Sequence, residues 1–387
     1  MSSLEERVPI AEVTDLIQVG VALPFRVLDA QERLLLNEGQ SIGSDRQMGL
    51  LIERGAWVDR KLVEERRSRN GPAGVAPPIE VRRVASLFDR WERVLWDLDA
   101  VLRGTAKGGA SMVDWTALVD ELLALVDRDA DIALYLAVRQ EDRRFALYPL
   151  AHSLHAAVLC LLAARQAGWP PERQRGVVGA ALSMNVAMLE LQAQMAEQDT
   201  PPTQRQLDHI RAHPLQGVQR LQQAGVADAA WLRAVAEHHE RADGSGYPQG
   251  AVQVCDEARM LRMADVYMAK ITPRAKRPPL PPLLASRQLF QQEPGSALAM
   301  ALIKAIGVHP PGALVQIKSG EIAVVIRRGT QGPAPQVCTL TDRHGKPSIA
   351  SVTLDSADPA SAITAPCTDT APYARVLPER VYGLVGA

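Results

Sequence analysis

The spacing of apolar residues changes period twice along the chain. Over residues 8–60 short apolar runs alternate with glycine or aspartate turns. The run from Val19 to Leu28, the turn Asp29-Ala30-Gln31-Glu32 and the run Arg33-Leu34-Leu35-Leu36 read as a hairpin. Asn37-Glu38-Gly39 turns the chain again, Ser44 is placed to cap a helix through Glu53, and Gly55-Ala56-Trp57-Val58 predicts a last strand. From Val81 the period is helical: Leu87, Trp91, Val94, Leu95, Leu98 and Leu102 recur at three- and four-residue steps until the glycines between 104 and 109 break the pattern. Helices are then predicted at 114–127, 130–140, 149–167, 172–196, 203–224, 228–239, 256–271, 283–291 and 296–306. After Gly307 strand patterns return at 314–317, 322–326 and 336–340.

These periods predict a mainly α protein. A small β-rich module over 1–66 is followed by a linker over 67–80, where glycines and prolines come in quick succession after the charged stretch 61–69. A helical domain fills 81–306 and a β appendage 307–355. The Ala-, Pro-, Ser- and Thr-rich stretch 356–387 is expected to be loosely ordered. Lysine plus arginine (43) balances aspartate plus glutamate (44) in the 387 residues, so no global field recruits a nucleic-acid polymer or a membrane surface, and an anionic ligand must be held by local geometry. Cys160, Cys255, Cys338 and Cys367 form no Cys-x-x-Cys pair, which fits a reducing compartment rather than a disulfide framework or a zinc knuckle. With no apolar run near the length of a membrane span and no signal-like start, the chain reads as cytoplasmic.

Candidate chemistry changes the picture at one place. Of eight histidines, His152, His155, His209, His213, His238 and His239 lie inside the helical domain and none lies in the first 150 residues. Such clustering of a metal-competent side chain is what a metal site predicts. His238 and His239 close an alanine-rich helical run and point about 100° apart, so both cannot enter one core stripe. One capping and one buried histidine would explain the pair as well as a metal would.

The segment His238-His239-Glu240-Arg241-Ala242-Asp243-Gly244-Ser245-Gly246-Tyr247-Pro248 resembles the signature His-His-Glu-x-x-Asp-Gly-x-Gly-Tyr-Pro of the HD-GYP family, a branch of the HD metal-dependent phosphohydrolases that cleaves cyclic di-GMP. The resemblance extends over roughly residues 145–310. It implies an HD-type helical bundle in which His152, His213, His238, His239 and Asp265 are the metal-ligand positions, while His155 and His209 match none. It further implies Arg274 and Arg277 as phosphate-binding arginines, whose planar forks suit that group. The loop of Asp243, Gly244, Gly246, Tyr247 and Pro248 corresponds to one linked in the family to contacts with GGDEF-type diguanylate cyclase domains.

The sequence departs from the family where the family writes Leu-His-Asp-Ile-Gly-Lys: here stand Leu182-Ser183-Met184-Asn185-Val186-Ala187. Ser183 and Met184 replace the histidine–aspartate dyad and Ala187 the lysine, so no catalytic group of that motif is intact. Tyr148, Met268, Ala275 and Lys276 replace further family residues. A hydrolytic pair of metals needs an anion between them, and Met184 is a soft thioether. The resemblance therefore implies a degenerate HD-GYP protein in cyclic di-GMP signalling, acting by binding the dinucleotide or a partner such as a GGDEF domain. Its surviving histidines are either remnants or ligands of one divalent ion, iron, manganese or zinc, at partial occupancy. The alternative is an active phosphodiesterase with a rearranged metal site.

Overall fold

The structure, a computed structural model, describes residues 7–19, 21–30, 32, 34–42, 48–49, 51–52, 55–69, 87–139, 147–274, 277–329, 334–348, 351–369, 373 and 378–382. Two compact units divide the chain, one of residues 1–100 with 143–148, the other of 101–142 with 149–387. The stretch expected to be a linker lies mostly outside the described residues, as do Ser44 and Glu53, the ends of the helix expected there; residues 48–49 and 51–52 between them are helical.

In the first unit β1 (Arg7–Pro9), β2 (Val27–Leu28), β3 (Leu34–Leu36) and β4 (Trp57–Asp59) form an antiparallel sheet in the order β1-β4-β2-β3. The expected hairpin is β2 against β3, with Val27 opposite Leu36, and β4 lies between β1 and β2. Val27, Leu35, Leu36 and Val58 are buried with Ile10 and Val13 of a 3-10 turn at Ile10–Leu16, while the Trp57 indole N–H donates to the Asp29 carbonyl at 2.7 Å. Helix α1 (Arg60–Arg69) follows, and α2 (Leu87–Lys107) begins in this unit.

The glycines at 104–109 were expected to end α2 early, yet the helix runs through Gly104 to Lys107. Gly104 is needed for a close approach instead: a Cβ there would stand 3.1 Å from that of Ala110.

The second unit is helical before it turns to strands. Its helices are α3 (Met112–Arg128), α4 (Ala130–Arg139), α5 (Tyr148–Gln166), α6 (Pro171–Ser183), α7 (Leu189–Glu197), α8 (Gln204–Gln223), α9 (Ala229–Glu237), α10 (Asp256–Ile271), α11 (Pro282–Gln292) and α12 (Ala297–Ile306). Caps fix several starts: Asp114 closes a capping box on Ser111, Thr203 accepts from the Gln206 amide, and Asp228 accepts from the amides of Ala230 and Trp231. The helix expected over 172–196 is in fact two. It stops at Ser183 and restarts at Leu189, because tertiary bonds hold the intervening carbonyls: Arg220 donates to Val186 at 3.0 Å and His209 Nε2 to Ala187 at 3.1 Å. None of the described helices is long and apolar enough to cross a membrane.

Past α12 the strands β5 (Leu314–Ile317), β6 (Ile322–Arg327), β7 (Gln336–Thr339), β8 (Thr353–Asp355) and β9 (Ile363–Pro366) make an antiparallel sheet in the order β8-β7-β6-β5-β9, and a short helix α13 (Pro378–Val381) follows. β9 lies within the stretch expected to be loosely ordered. It pairs with β5, Gln316 opposite Ala365 and Ile317 opposite Ile363, so the free edge of β5 orders a segment whose composition reads as loose. Leu314, Val324, Ile326, Cys338 and Leu340 pack with Tyr135 of α4 and Val381. The fold is mainly α, with a small sheet toward each end of the chain.

Candidate metal centre

Local chain chemistry fixes the ring orientation of two histidines. Pro214 lies inside α8 and has no amide hydrogen to give the Ile210 carbonyl one turn back, so that carbonyl accepts instead from Nδ1 of His213 at 2.6 Å. His238 is the C-terminal cap of α9, where the last carbonyls lack helical donors, and its Nδ1 donates to Val235 at 2.7 Å. With each Nδ1 carrying the proton, both Nε2 atoms bear lone pairs, and they face each other at 3.3 Å. His239 completes the group: its ring centroid is 4.0 Å from that of His238 and 5.1 Å from that of His213, and one nitrogen from each of the three rings lies within 4.8 Å of the others.

Burial keeps these rings neutral. It pushes His213 down to about 3, aided by His238 beside it, lowers His238, and takes His239 well below the ordinary histidine value. His152 of α5 and Asp265 of α10 pair at 2.6 Å between Nε2 and Oδ1. Burial alone would raise the Asp265 carboxyl, but the His152 bond and the electrostatic influence of the imidazoles of His152, His239 and His238 around it hold it well below the usual carboxylate range. Asp265 thus lies within electrostatic reach of the histidines from α9, and the five expected ligand positions form a trio and a pair around one buried region. His155 is pushed down to about 3, by burial first and then by His152.

Ser183 is engaged outside the histidine trio. The Ser183 hydroxyl donates to the Gly179 carbonyl at 2.7 Å and accepts from the Trp231 indole N–H at 2.8 Å, and Met184 is fully buried. Ala187 contributes its carbonyl to His209. Arg274 and Arg277 exchange main-chain bonds of 3.1 and 3.2 Å past the end of α10, and the Arg277 guanidinium reaches back to the Ala269 carbonyl. Ala275 and Lys276 between them lie outside the described residues.

The loop after His239 is built from within. Asp243 accepts from the Ser245 amide at 3.0 Å and its hydroxyl at 2.6 Å, and Gly244 takes a φ of 74°. A Cβ at Gly246 would stand 2.5 Å from the Arg241 amide nitrogen, so only glycine fits. Tyr247 donates its amide to the His239 carbonyl, stacks its ring on His239 at 4.6 Å and 25°, and precedes a cis Pro248. Glu240, buried, accepts from the amides of Gln249 at 2.6 Å and Ala251 at 3.0 Å.

Sequence reasoning passed over three contributors: Pro214, Glu240 and Trp231. The first was visible as a proline inside a helical pattern carrying a candidate ligand, and the second as a carboxylate just ahead of a glycine turn. Nothing in the sequence placed Trp231 against Ser183.

Residues 138–292, within the helical unit that carries this arrangement, match the family described as HD domain. The chain is 28% identical over 341 residues to the cyclic di-GMP phosphodiesterase PA4108 of Pseudomonas aeruginosa, an alignment covering 85% of this chain and 81% of that one. Among solved structures it is similar to Bd1817, a HDG"Y"P protein from Bdellovibrio bacteriovorus, with a TM-score of 0.48 and 14% identity, covering 76% of this chain and 97% of that one.

Proposed function

We propose that this protein acts in cytoplasmic cyclic di-GMP signalling without hydrolysing the dinucleotide, and that its HD-type site holds one divalent ion rather than two. The observation that carries this reading is the state of Ser183. Its hydroxyl is engaged by Trp231 and Gly179, and the next side chain, Met184, is a buried thioether, so this side of the site offers no carboxylate to lie between two cations. Kinship to a protein named as a cyclic di-GMP phosphodiesterase supports the ligand class.

The donors suit a single ion. Two imidazole lone pairs facing at 3.3 Å, with no proton between them, are an unsatisfied buried pair that a cation relieves, and His239 supplies a third nitrogen. His213, His238 and His239 would hold iron, manganese or zinc, with Asp265 and His152 as the adjoining pair. Such an ion supplies a Lewis acid for a phosphate oxygen. Arg274 and Arg277 are the side chains we assign to the dinucleotide phosphates, and the loop of Asp243, Gly244, Gly246, Tyr247 and Pro248 is the surface we assign to a signalling partner of the GGDEF type.

A second reading, an active phosphodiesterase with a rearranged site, is favoured by the same three nitrogens and by the relative's activity. Metal analysis of the purified protein together with a cyclic di-GMP hydrolysis assay in added manganese or iron separates the two. The first expects at most one ion per chain, cyclic di-GMP binding and no turnover. Turnover abolished by His213→Ala would establish the second.

A further inference from the structure

Trp231 lies on α9 seven residues before His238, two turns away on the same helix face, and it is buried. Its six-membered ring lies on the backbone of α6 where Gly179 leaves room: a Cβ at Gly179 would stand 2.4 to 2.6 Å from three of the ring atoms. One turn further along α6, Ser183 accepts the indole N–H at 2.8 Å, and the edge of Trp115, 5.9 Å away at 90°, closes the seat from α3. Trp115 is itself held by its N–H to Thr105 at 3.1 Å. One turn after Trp231 on α9, Val235 lies against α8, in ordinary van der Waals reach of Gly217, where a Cβ would meet it at 3.5 Å. Gly217 is one turn from His213, and Val235 carries the carbonyl that orients His238.

We propose that Trp231 is the positioning residue of the histidine cluster: seated on Gly179 and bonded to Ser183, it fixes α9 along α6 so that His238 meets His213, and position 183 serves this seat rather than the metal. A helix free to slide by one residue would carry His238 about 1.5 Å along the axis and turn it by about 100°, which a contact of two ring nitrogens cannot follow. Ser183 and Gly179 therefore act together, the glycine admitting the ring and the serine setting how far along it lies. The proposal rests on the reading of His213, His238 and His239 as ligands of one ion, but the placement of the rings can be read without any ion.

The test uses the full chain with 15N-labelled histidine, reading the ring nitrogens of His213 and His238 in the metal-free protein, and cobalt(II) titration as a separate arm. Trp231→Phe, which keeps a ring in the seat but loses the bond to Ser183, should move the ring signals as Ser183→Ala does and by less than Trp231→Ala. Trp231→Ala should move both His213 and His238 signals and weaken cobalt binding by about tenfold or more, the usual scale for losing a residue that orients a ligand. Gly179→Ala, with the tryptophan present but its seat filled, should reproduce the Trp231→Ala spectrum. A folded Trp231→Ala protein with a lowered melting temperature but native His213 and His238 signals would overturn the proposal, since that is what a merely structural tryptophan does. Should Trp231→Ala fail to fold, Ser183→Ala is read in the same way: displaced ring signals support the proposal and native ones overturn it. Failure of the native protein to bind cobalt would defeat the single-ion reading alone, leaving the ring signals to decide the role of Trp231.

Discussion

His213 and His238 point their Nε2 atoms at each other across 3.3 Å, while each Nδ1 is tied to a carbonyl of its own helix, Ile210 and Val235. The two ties have different origins. At His238 the helix end leaves the carbonyl free, whereas at His213 a proline frees it from within the helix.

That difference makes Pro214→Ala a sharp probe. The new amide at 214 would bond to Ile210 and compete with His213 Nδ1, freeing the ring to take the other tautomer or to turn. We expect divalent-metal affinity to fall by about tenfold, the scale seen when a ligand histidine loses its second hydrogen bond, with helix content unchanged or slightly raised. Calorimetric titration with zinc against circular dichroism of the same variant checks both. Unchanged affinity would show that the Ile210 carbonyl does not set the ring.

Acid should destabilise the metal-free protein early. His213 is pushed down to about 3 by burial and by His238, whereas in the unfolded chain a histidine takes its proton at its ordinary value of 6.5. Between those values the unfolded state binds a proton that the folded state does not. The stability contributed by the neutral ring is thus fully present above the unfolded value and is lost as pH falls toward the folded one. The slope approaches about 1.4 kcal/mol per pH unit for each such histidine. Urea midpoints of metal-free protein between about pH 6.5 and about pH 4 should decline, and less steeply in His213→Gln.

The loop rests on a different residue. Glu240 is buried and holds the amides of Gln249 and Ala251, so Glu240→Ala strands two donors of the returning loop. Bonds from amides to a carboxylate are worth about 1.5 to 3 kcal/mol each, and a loss of at least about 2 kcal/mol is expected. Hydrogen exchange should speed up over residues 241–251 first. Protection in that loop equal to native would remove Glu240 as its brace.

The helices were legible because a 3.6-residue period survives in the sequence wherever one face is buried, and the ends expected for α3, α8 and α10 differ from those found by two residues at most. The break between α6 and α7 was not, since Leu182, Met184, Val186 and Met188 continue an apolar pattern and the bonds from Arg220 and His209 that stop the helix come from elsewhere in the chain. The same limit applied at the site. The five ligand positions came from the family resemblance, residue type giving only the cluster of histidines, and the structure brings three of them together and pairs the other two. The engagement of Ser183 by a tryptophan 48 residues away has no local signature.

The C-terminal stretch yields the last prediction, because composition and structure speak differently there. Its alanines, prolines and threonines read as loose, yet Tyr382 stands edge-on to Tyr135 with centroids 5.3 Å apart, donates its hydroxyl to the Ile326 carbonyl at 2.9 Å and lies under the Arg327 guanidinium. Arg327 in turn pairs with Asp129 at 2.7 Å, at the start of α4. One aromatic ring therefore ties the end of the chain to a strand of the sheet and to the helix on which that sheet packs. Since Tyr382 is only partly buried, Tyr382→Ala should cost about 2 kcal/mol, below the 3 to 5 typical of a fully buried aromatic. Tyr382→Phe should lose only the hydroxyl bond, about 1 kcal/mol. Removal of residues 356–387 should cost more than Tyr382→Ala, because β9 then leaves β5 as an open edge. Chemical denaturation of the three proteins gives the order, and a truncated chain as stable as the full one would mean that β9 and Tyr382 contribute nothing to the fold.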